Sequence, residues 1–573
     1  MSGRAEIAHG PWRWTAAVGA VLAARVASRA HKLGDEKWWR QNTARIQAEQ
    51  LRHLLLRAEA TEYGRQHDFS RIAAISDARQ MIAAYRAAVP VSDWYAFRET
   101  IARMREHGES NVLWPGKVRD FAQTSGTTAG DKFIPVSQAM LHSNYRASLD
   151  IFAYMIRRGM SLPTICSGRC LFLGGSSDLK ENAHGVRTGD LSGIVTPLIR
   201  WPISAIYSPG PRVALMSDWP AKIEAMAKLT IDQDIRMISG MPSWALVLMM
   251  RVLEMARGLG RKADCIHDVW PHLEIFVHGG VNYAPFKSRV SEIVTGDKNR
   301  DLPHRHELYP ASEAFVAMQD RAHEPGLRLC SDIGNFVEFV PLSHIDDPSP
   351  PAFTCDQVER GQRYVVVLST CAGLWRYILG DVVEFDDIPD SLDDQPGTGP
   401  SRMRIVGRHR HFINAFGENL IVEHIEHAVT EAARVTGIEV GEFTSAPVYP
   451  GPGRRAGLEL AIEMPSLTGA ARLSEPGAVP SAARAPCPGD ALAAFADAFD
   501  KALKSQNVDY TTKRTADLGM APPTVTPLPA GAFHRWMEGR EKLGGQHKCP
   551  RCANHRELIE AVVGTEQTLG IGD

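Results

Sequence analysis

The chain has 573 residues, of which 44% are hydrophobic and 23% are charged, as in an ordinary globular protein. Its 64 Lys and Arg residues nearly balance 66 Asp and Glu residues, which gives a formal net charge of −2. This balance, with no block of like charge, argues against a dedicated nucleic-acid binder or a polybasic membrane protein. Nine cysteines do not suit a secreted disulfide framework, so we expect a cytoplasmic protein.

The N-terminal segment is expected to be helical. An apolar run from Thr15 to Ala24 is shorter than the roughly 20 residues that a membrane-spanning helix needs. Basic residues follow it where a signal peptide would have a small-residue cleavage site, which makes a cleaved signal the weaker alternative. We therefore predict an N-terminal helical extension over residues 1–35. A further helical pattern follows from Arg45 to Tyr63.

The centre of the chain alternates between two patterns. Between about residues 120 and 390, short β-rich runs separate longer helical ones, and these runs are Asp234–Ile238, Glu274–His278, Asn335–Val340 and Arg363–Leu368. Such alternation predicts an α/β fold with a parallel or mixed sheet flanked by helices. In such sheets, loops at the strand ends carry the ligand site.

The pattern changes near residue 400. A turn-rich stretch, Pro389–Pro400, precedes a smaller set of elements: strands at Met403–Val406, Glu439–Val448 and Gly457–Met464, and helices near Ile421–Ala432 and Ala491–Lys504. We predict a large N-terminal domain over residues 36–406 and a smaller mobile α+β domain over residues 407–573. The hinge is placed near Gly407 and Arg408, and Pro465–Pro488 is interpreted as an insertion loop.

The first candidate motif is the run Phe121–Ser137, which reads FAQTSGTTAGDKFIPVS. Its hydroxyl and glycine residues, Ser125, Gly126, Thr127 and Thr128, are suited to hydrogen-bonding phosphate oxygens. The spacing does not fit a Walker loop. A polar surface turn is the alternative interpretation of this run alone.

Two further motifs carry isolated carboxylates. In Leu308–Phe315, which reads LYPASEAF, Glu313 could bind Mg²⁺ and the ring of Tyr309 could flank a base. The alternative is a helix that begins at Pro310. In Gly373–Phe385, which reads GLWRYILGDVVEF, Asp381 could accept ribose hydroxyls at the start of a strand, unless Gly380-Asp381 is only a hairpin turn.

Taken together, these motifs resemble the adenylate-forming superfamily of acyl-CoA synthetases and firefly luciferase. Four motifs are similar to those of the Gretchen-Hagen-three family of auxin-responsive acyl acid amido synthetases: TSGTTAGDKFIP, YPASE, LWRYILGDVV and GRHRHFINAFGENL. The likeness runs from Thr61–Gly64 to Gln546–Cys552 and thus spans nearly the whole chain.

The resemblance implies a large adenylate-forming domain, a mobile C-terminal domain, and the use of ATP and Mg²⁺. The expected reaction adenylates a small carboxylic acid and then passes the acyl group to an amino acid. By the resemblance, phosphate, magnesium, adenine and ribose contacts fall on Ser125, Gly126, Thr127, Thr128, Gly279, Gly280, Tyr309, Ser312, Glu313, Asp381, Arg408 and Lys548. Of these, Glu313, Arg408 and Lys548 are expected to act in catalysis.

The sequence departs from the family motifs at one position, and two alternative functions remain open. Glu418 is followed by Asn419 where plant members often have a lysine, so Lys548 carries more of the phosphate assignment. The alternatives are an acyl-CoA ligase with the same adenylation step and a non-catalytic nucleotide-binding protein on this fold. Cys549 and Cys552 form half of a zinc ribbon, but no second Cys-x-x-Cys exists. We expect a monomer by default and no nucleic-acid partner.

Overall fold

The structure is a computed structural model. It describes residues 14–124, 132–174, 179–201, 203–216, 218–280, 283, 286–322, 324, 326–387, 401–409, 412–413, 415–418, 420–451, 454–464, 488–517, 519–538 and 550–568.

The described helices fall at both ends of the chain and between strands. They are Thr15–Gly34, Glu36–Ala58, Glu62–Gln66, Phe69–Ala73, Ala78–Ala88, Trp94–Glu106, Gln138–Arg157, Leu162–Cys166, Leu191–Val195, Pro211–Ala214, Trp219–Thr230, Pro242–Gly258, Lys287–Thr295, Val422–Thr436, Pro488–Gln506, Val508–Arg514, Ala532–Glu538 and Glu557–Thr568. Short 3₁₀ turns occur at Thr196–Leu198, Ile203–Ala205, Ile266–Asp268, Leu342–His344 and Thr515–Asp517.

The strands, numbered in chain order, are β1 Asp120–Thr124, β2 Lys132–Val136, β3 Arg169–Phe172, β4 Lys180–Glu181, β5 Arg187–Gly189, β6 Tyr207–Ser208, β7 Ile235–Ser239, β8 Ile275–Gly279, β9 His304–Pro310, β10 Phe315–Gln319, β11 Leu327–Leu329, β12 Phe336–Pro341, β13 Arg363–Ser369, β14 Tyr377–Asp387, β15 Arg402–Arg408, β16 Phe412–Ile413, β17 Leu420–Ile421, β18 Phe443–Val448, β19 Gly457–Glu463 and β20 Thr524–Leu528. The strands predicted from sequence in the centre of the chain are present within a residue or two of the expected bounds.

The chain divides into two compact units. The first comprises residues 1–124, 132–280 and 290–409, and the second comprises residues 125–131, 281–289 and 410–573. The first unit holds an 11-stranded mixed sheet in the order β12-β13-β14-β15-β11-β10-β9-β8-β7-β3-β6, and a smaller sheet in the order β2-β1-β5-β4. The predicted α/β class with a mixed sheet and flanking helices is confirmed.

The large sheet changes from parallel to antiparallel at β9. Strands β6, β3, β7, β8 and β9 run parallel to their neighbours, whereas β9 pairs antiparallel with β10 and the pairs from there to β12 are all antiparallel. Helices connect the parallel strands, as crossovers require. The β-branched run Val365–Val367 at the centre of β13 is fully buried, because this strand is covered on both faces.

Polar side chains start several of the flanking helices. The side chain of Asp35 accepts a hydrogen bond from the Trp38 amide, 2.9 Å away, at the start of helix Glu36–Ala58. Ser137 Oγ accepts one from the Met140 amide at 3.0 Å, and so caps helix Gln138–Arg157. Each cap satisfies an amide that has no partner within its own helix.

The N-terminal helix Thr15–Gly34 packs on the first unit through a buried stripe that includes Leu22, Val26 and Leu33. A Cβ atom at Gly19 would lie 2.3 Å from the carbonyl oxygen of Leu162, so only glycine fits this crossing. None of the helices in the described part of the chain is long and apolar enough to cross a membrane.

The second unit is a smaller α+β assembly. Strands β18, β19 and β20 form a three-stranded sheet, and β16 pairs with β17 as a two-stranded ribbon. Helices Ala532–Glu538 and Glu557–Thr568 pack on the three-stranded sheet through Phe533, Ile559 and Val562.

Candidate active site

Tyr309, Ser312 and Glu313 lie at the tip of a β-hairpin. Strand β9 ends at Pro310, which pairs with Phe315 at the start of β10, and the Ala311 amide donates to the Ala314 carbonyl at 2.9 Å. The alternative helix starting at Pro310 is therefore wrong, because these backbone groups are satisfied by the antiparallel ladder. The turn leaves Ser312 half-buried and Glu313 buried.

Asp381 lies inside strand β14 and is the fifth residue of that strand. Both the expected position at a strand start and the alternative hairpin turn at Gly380-Asp381 are wrong. The register against β13 shifts between Ile378 and Val382, so this stretch bulges. Gly380 has a φ of +96°, which favours glycine, and its carbonyl accepts the His409 amide at 3.0 Å.

The Asp381 carboxylate binds two residues that were predicted from other motifs, Tyr309 and Arg408. The Tyr309 hydroxyl donates to Oδ2 at 2.7 Å, and Arg408 Nε donates to Oδ1 at 2.6 Å. Burial, together with the adjacent Asp381, raises the pKa of Tyr309 well above its ordinary value, so the phenol stays a donor. Asp381 and Arg408 are directly paired in register between β14 and β15.

Glu313 is a buried carboxylate beside this group. Burial raises its pKa above the ordinary value, and the positive charges of Lys132 and Arg408 oppose that shift. Tyr377 lies near it, because the charge of Glu313 is, after burial, the next largest cause that raises the pKa of Tyr377. Within the described ranges, Glu313 forms no ion pair with a Lys, Arg or His side chain.

Gly279 and Gly280 follow the neighbouring strand β8. Gly279 pairs with Leu308 on β9, and a Cβ at Gly279 would lie 2.4 Å from the Leu308 carbonyl oxygen. Gly280 has a φ of +84°. Both positions therefore need glycine, and Gly279 itself lies next to the strand that carries Tyr309.

Two groups near these glycines, buried His278 and half-buried Glu307, have shifted pKa values. His278, just before Gly279, is almost fully buried, and burial lowers its pKa to about 3, so the ring is neutral at physiological pH. Glu307 lies two residues before Tyr309 on β9, and burial raises its pKa to about 7. The sequence assigns no role to His278 and does not single out Glu307, because only its burial distinguishes Glu307 from an exposed strand glutamate.

Several expected site residues lie outside the described residues: Ser125, Gly126, Thr127, Thr128 and Lys548. The described flanks show that the hydroxyl loop connects two antiparallel strands, since Thr124 pairs with Lys132. Cys549 is also outside the described residues. Cys552 is buried, and its backbone forms an isolated β-bridge with Ser445. In the described part of the chain, no group of three or more His, Cys, Asp or Glu side chains could hold a metal ion.

Glu418, next to the departure from the family wording, is a buried loop residue. Its carboxylate accepts the amides of Ala415 and Phe416, at 3.2 Å and 2.6 Å. These bonds order the loop around it, and Asn419 lies outside the described residues.

The residues present fit a magnesium nucleotide. Carboxylate oxygen is the protein ligand that Mg²⁺ prefers, and Mg²⁺ bound to phosphates usually takes only one or two such groups from the protein. Glu313 supplies a buried carboxylate with cationic Lys132 near it, and Asp381 supplies acceptors for hydroxyl groups. This donor set suits a polyphosphate ester bearing a diol.

Three family models match successive parts of the chain. The GH3 family N-terminal domain matches residues 38–198 and 180–298, the central domain matches residues 329–392, and the C-terminal domain matches residues 423–557. Gly279, Gly280 and Asp381 fall within these matches, whereas Tyr309, Glu313 and Arg408 fall between them.

Among curated proteins, the chain is similar to "Indole-3-acetic acid-amido synthetase GH3.8" of Oryza sativa subsp. indica. The two are 25% identical over 318 residues, which cover 52% of this chain and 47% of the relative. The chain thus spans about half the length of that relative.

Solved structures share the fold. "AtGH3.15 acyl acid amido synthetase in complex with 2,4-DB" matches with a TM-score of 0.55 and 15% identity over 96% of this chain and 97% of that one. A "2-Hydroxyisobutyryl-CoA Ligase (HCL)" matches with a TM-score of 0.50 and 15% identity over 91% and 92% of the two chains. With domain models of one family matched along most of its length, the chain belongs to the GH3 family.

Proposed function

We propose that this protein is an ATP-dependent acyl acid amido synthetase. In the first half-reaction, a carboxylate oxygen attacks the α-phosphorus of ATP, which forms an acyl adenylate and releases pyrophosphate. In the second, the amine of an amino acid attacks the acyl carbon, an amide bond forms, and AMP leaves with the former carboxylate oxygen. The observation that carries the proposal is the meeting of Tyr309, Asp381 and Arg408 beside buried Glu313.

Each residue has a separate role in this proposal. Asp381 would accept the ribose hydroxyls, and Tyr309 would hold that carboxylate in place while its ring flanks the adenine. Glu313 would bind Mg²⁺, which reduces the repulsion between the attacking carboxylate and the phosphates when bound. Arg408 would stabilise negative charge at the nucleotide.

The remaining assignments depend on the family. Ser125, Gly126, Thr127 and Thr128 would hold phosphate oxygens, with Ser312 beside Glu313, and Gly279 and Gly280 would contact adenine. Lys548 would approach the phosphates from the C-terminal domain. We also propose a domain boundary near Gly407, a cytoplasmic location and a monomeric state.

The test of the proposal is pyrophosphate release from purified protein with ATP and Mg²⁺. A panel of aryl and alkyl carboxylates is screened with pooled amino acids, with coenzyme A, and with neither. We expect acid-dependent release that amino acids stimulate and coenzyme A does not. Release that requires coenzyme A would indicate a thioester-forming ligase, and ATP binding without release from any acid would favour a non-catalytic protein.

A further inference from the structure

Arg376, the residue before strand β14, has an unusual backbone. Its φ is +43°, in the left-handed region that residues with a Cβ seldom adopt. Asp68, Asn111 and Ala516 share this region, and of these only Asp68 and Asn111 have side-chain types that enter it more readily than arginine does. Such a conformation persists where the surrounding structure imposes it, often close to functional sites.

The side chain of Arg376 is buried and fully engaged. Nε donates to Glu338 Oε2 at 3.0 Å, and Nη1 donates to the carbonyl oxygens of Arg86 and Val89, at 3.2 Å and 2.9 Å. Arg376 is 4% exposed and Glu338 is 0% exposed. The guanidinium thus ties β12 to the end of helix Ala78–Ala88.

The backbone of Arg376 is held on both sides. Its amide donates to Ser369 Oγ at 3.2 Å, and that hydroxyl also bonds the Tyr85 hydroxyl at 2.7 Å. Its carbonyl accepts the Ser92 amide at 3.0 Å, and the Ser92 carbonyl accepts the Ile378 amide at 2.9 Å. These bonds fix the direction in which β14 leaves residue 376.

The strand that starts there carries two groups of the candidate site. Tyr377 is the next residue, 1% exposed, and lies near enough to Glu313 for that carboxylate's charge to raise its pKa. Asp381 follows four residues later and bonds Tyr309 and Arg408. A small rotation of β14 at its first residue would move both groups.

We propose that Arg376 is a positioning residue for the nucleotide and metal site. Through its buried pair with Glu338, it sets the start of β14 and so places Asp381 against Tyr309 and Tyr377 near Glu313. The inference depends on the proposed function, because it assumes that these groups bind the magnesium nucleotide. Arg376 itself does not touch the substrates.

The test compares Arg376→Lys with Arg86→Lys by isothermal titration calorimetry of MgATP. Lysine keeps the charge but lacks the planar fork that reaches several acceptors. Arg86 is the matched control, since its Nε donates to the same Glu338 carboxylate at 2.8 Å but has no bond to β14. We expect Arg376→Lys to weaken MgATP binding by about 10- to 100-fold, as loss of supporting contacts at metal sites does, and Arg86→Lys to bind as wild type does.

A second readout separates positioning from simple destabilisation. In single-turnover assays with preformed acyl adenylate, Arg376→Lys should transfer its acyl group at close to the wild-type rate, while its KM for ATP rises. Equal MgATP affinities in the two variants, or an unchanged affinity in Arg376→Lys, would overturn the inference. If Arg376→Lys does not fold, Glu338→Asp is titrated instead, and a folded Glu338→Asp with wild-type affinity would overturn it.

These outcomes can be told apart from failure of the proposed function. A wild-type chain that does not bind MgATP would refute the proposed function and the inference with it. Wild-type binding with unaltered variants would refute the inference alone.

Discussion

Asp381 and Arg408 lie opposite each other on antiparallel strands β14 and β15, with Arg408 Nε 2.6 Å from Asp381 Oδ1. The Tyr309 hydroxyl binds the other carboxylate oxygen at 2.7 Å. Three residues that are up to 99 positions apart in sequence (408 − 309) are therefore joined through one carboxylate. We propose that this carboxylate anchors the nucleotide.

Replacing Asp381 by Asn should weaken nucleotide use. The amide keeps the shape of the carboxylate but loses the negative charge that holds Arg408, and it has one oxygen acceptor where the carboxylate has two. We therefore expect the KM for ATP to rise by about tenfold or more. The control is Glu384→Gln on the same strand, where the partner is the exposed Arg363 at 3.5 Å. Steady-state kinetics in which both variants keep the wild-type KM would remove Asp381 from the nucleotide site.

Replacing Glu313 by Gln should separate metal use from stability. Burial raises the pKa of Glu313, so its ionised form is unfavourable in the fold and a neutral amide should not lower the thermal midpoint. The Mg²⁺ concentration for half-maximal pyrophosphate release should rise by about 10- to 100-fold. A Mg²⁺ titration that superimposes on that of the wild type would exclude Glu313 as the metal ligand.

The residues of this cluster could be named from the sequence because they lie in contiguous motifs. The runs around Tyr309 and Asp381 are short enough to recognise together, and their order along the chain led to the family. The local pattern alone suggested the wrong conformation at two places. Pro310 ends a strand and does not begin a helix, and Gly380-Asp381 lies within a strand. In each case, pairing with a distant strand decides the conformation, and a local pattern carries no information about that partner.

Other features had no local signature in the sequence. Glu338 and Arg376 occur in a strand pattern and in a quoted motif, but their ion pair depends on the packing of β12 against the turn before β14. The shift of Glu307 towards neutrality likewise comes from burial. Burial and long-range pairing emerge only once the sheet is assembled.

Arg29 should be important for docking the N-terminal helix. Its guanidinium forms paired hydrogen bonds with Asp150 and with Asp332, at 2.6 to 2.9 Å. Arg29→Met would leave both carboxylates without that partner, so we expect a loss of about 3 kcal/mol in the free energy of unfolding. Arg45→Met, which removes the exposed pair with Glu49, should cost under about 1 kcal/mol. Denaturant titrations with equal losses in both variants would contradict this role.

Gly19 should not accept a side chain. Because its Cβ would lie 2.3 Å from the Leu162 carbonyl oxygen, Gly19→Ala must push the helix away, at a cost of about 1–3 kcal/mol. Gly258, at the end of helix Pro242–Gly258, has no such neighbour within 4 Å, so Gly258→Ala should be neutral or slightly stabilising. If Gly19→Ala melts at the wild-type temperature, the close helix crossing is incorrect.

Glu418 should make the stability of the chain depend on pH. Burial raises its pKa to about 7 from an ordinary value of 4.5, so the folded state holds the proton more tightly than the unfolded state does. Its stabilising contribution is complete below about pH 4.5 and is lost as the pH rises through about 7. Between these pH values, the melting temperature of Glu418→Gln should fall less with rising pH than that of the wild type. Parallel profiles of melting temperature against pH would contradict the assignment.

The sharpest test of acid activation by adenylation before amide formation is isotope transfer. A substrate carboxylic acid labelled with ¹⁸O in both carboxylate oxygens is incubated with ATP, Mg²⁺ and the amino acid. The masses of the nucleotide and amide products are then measured by mass spectrometry. We expect AMP to acquire one ¹⁸O atom for each amide formed, because a carboxylate oxygen becomes the bridge to phosphorus and leaves with AMP. Amide formation with unlabelled AMP, or with ADP as the nucleotide product, would contradict it.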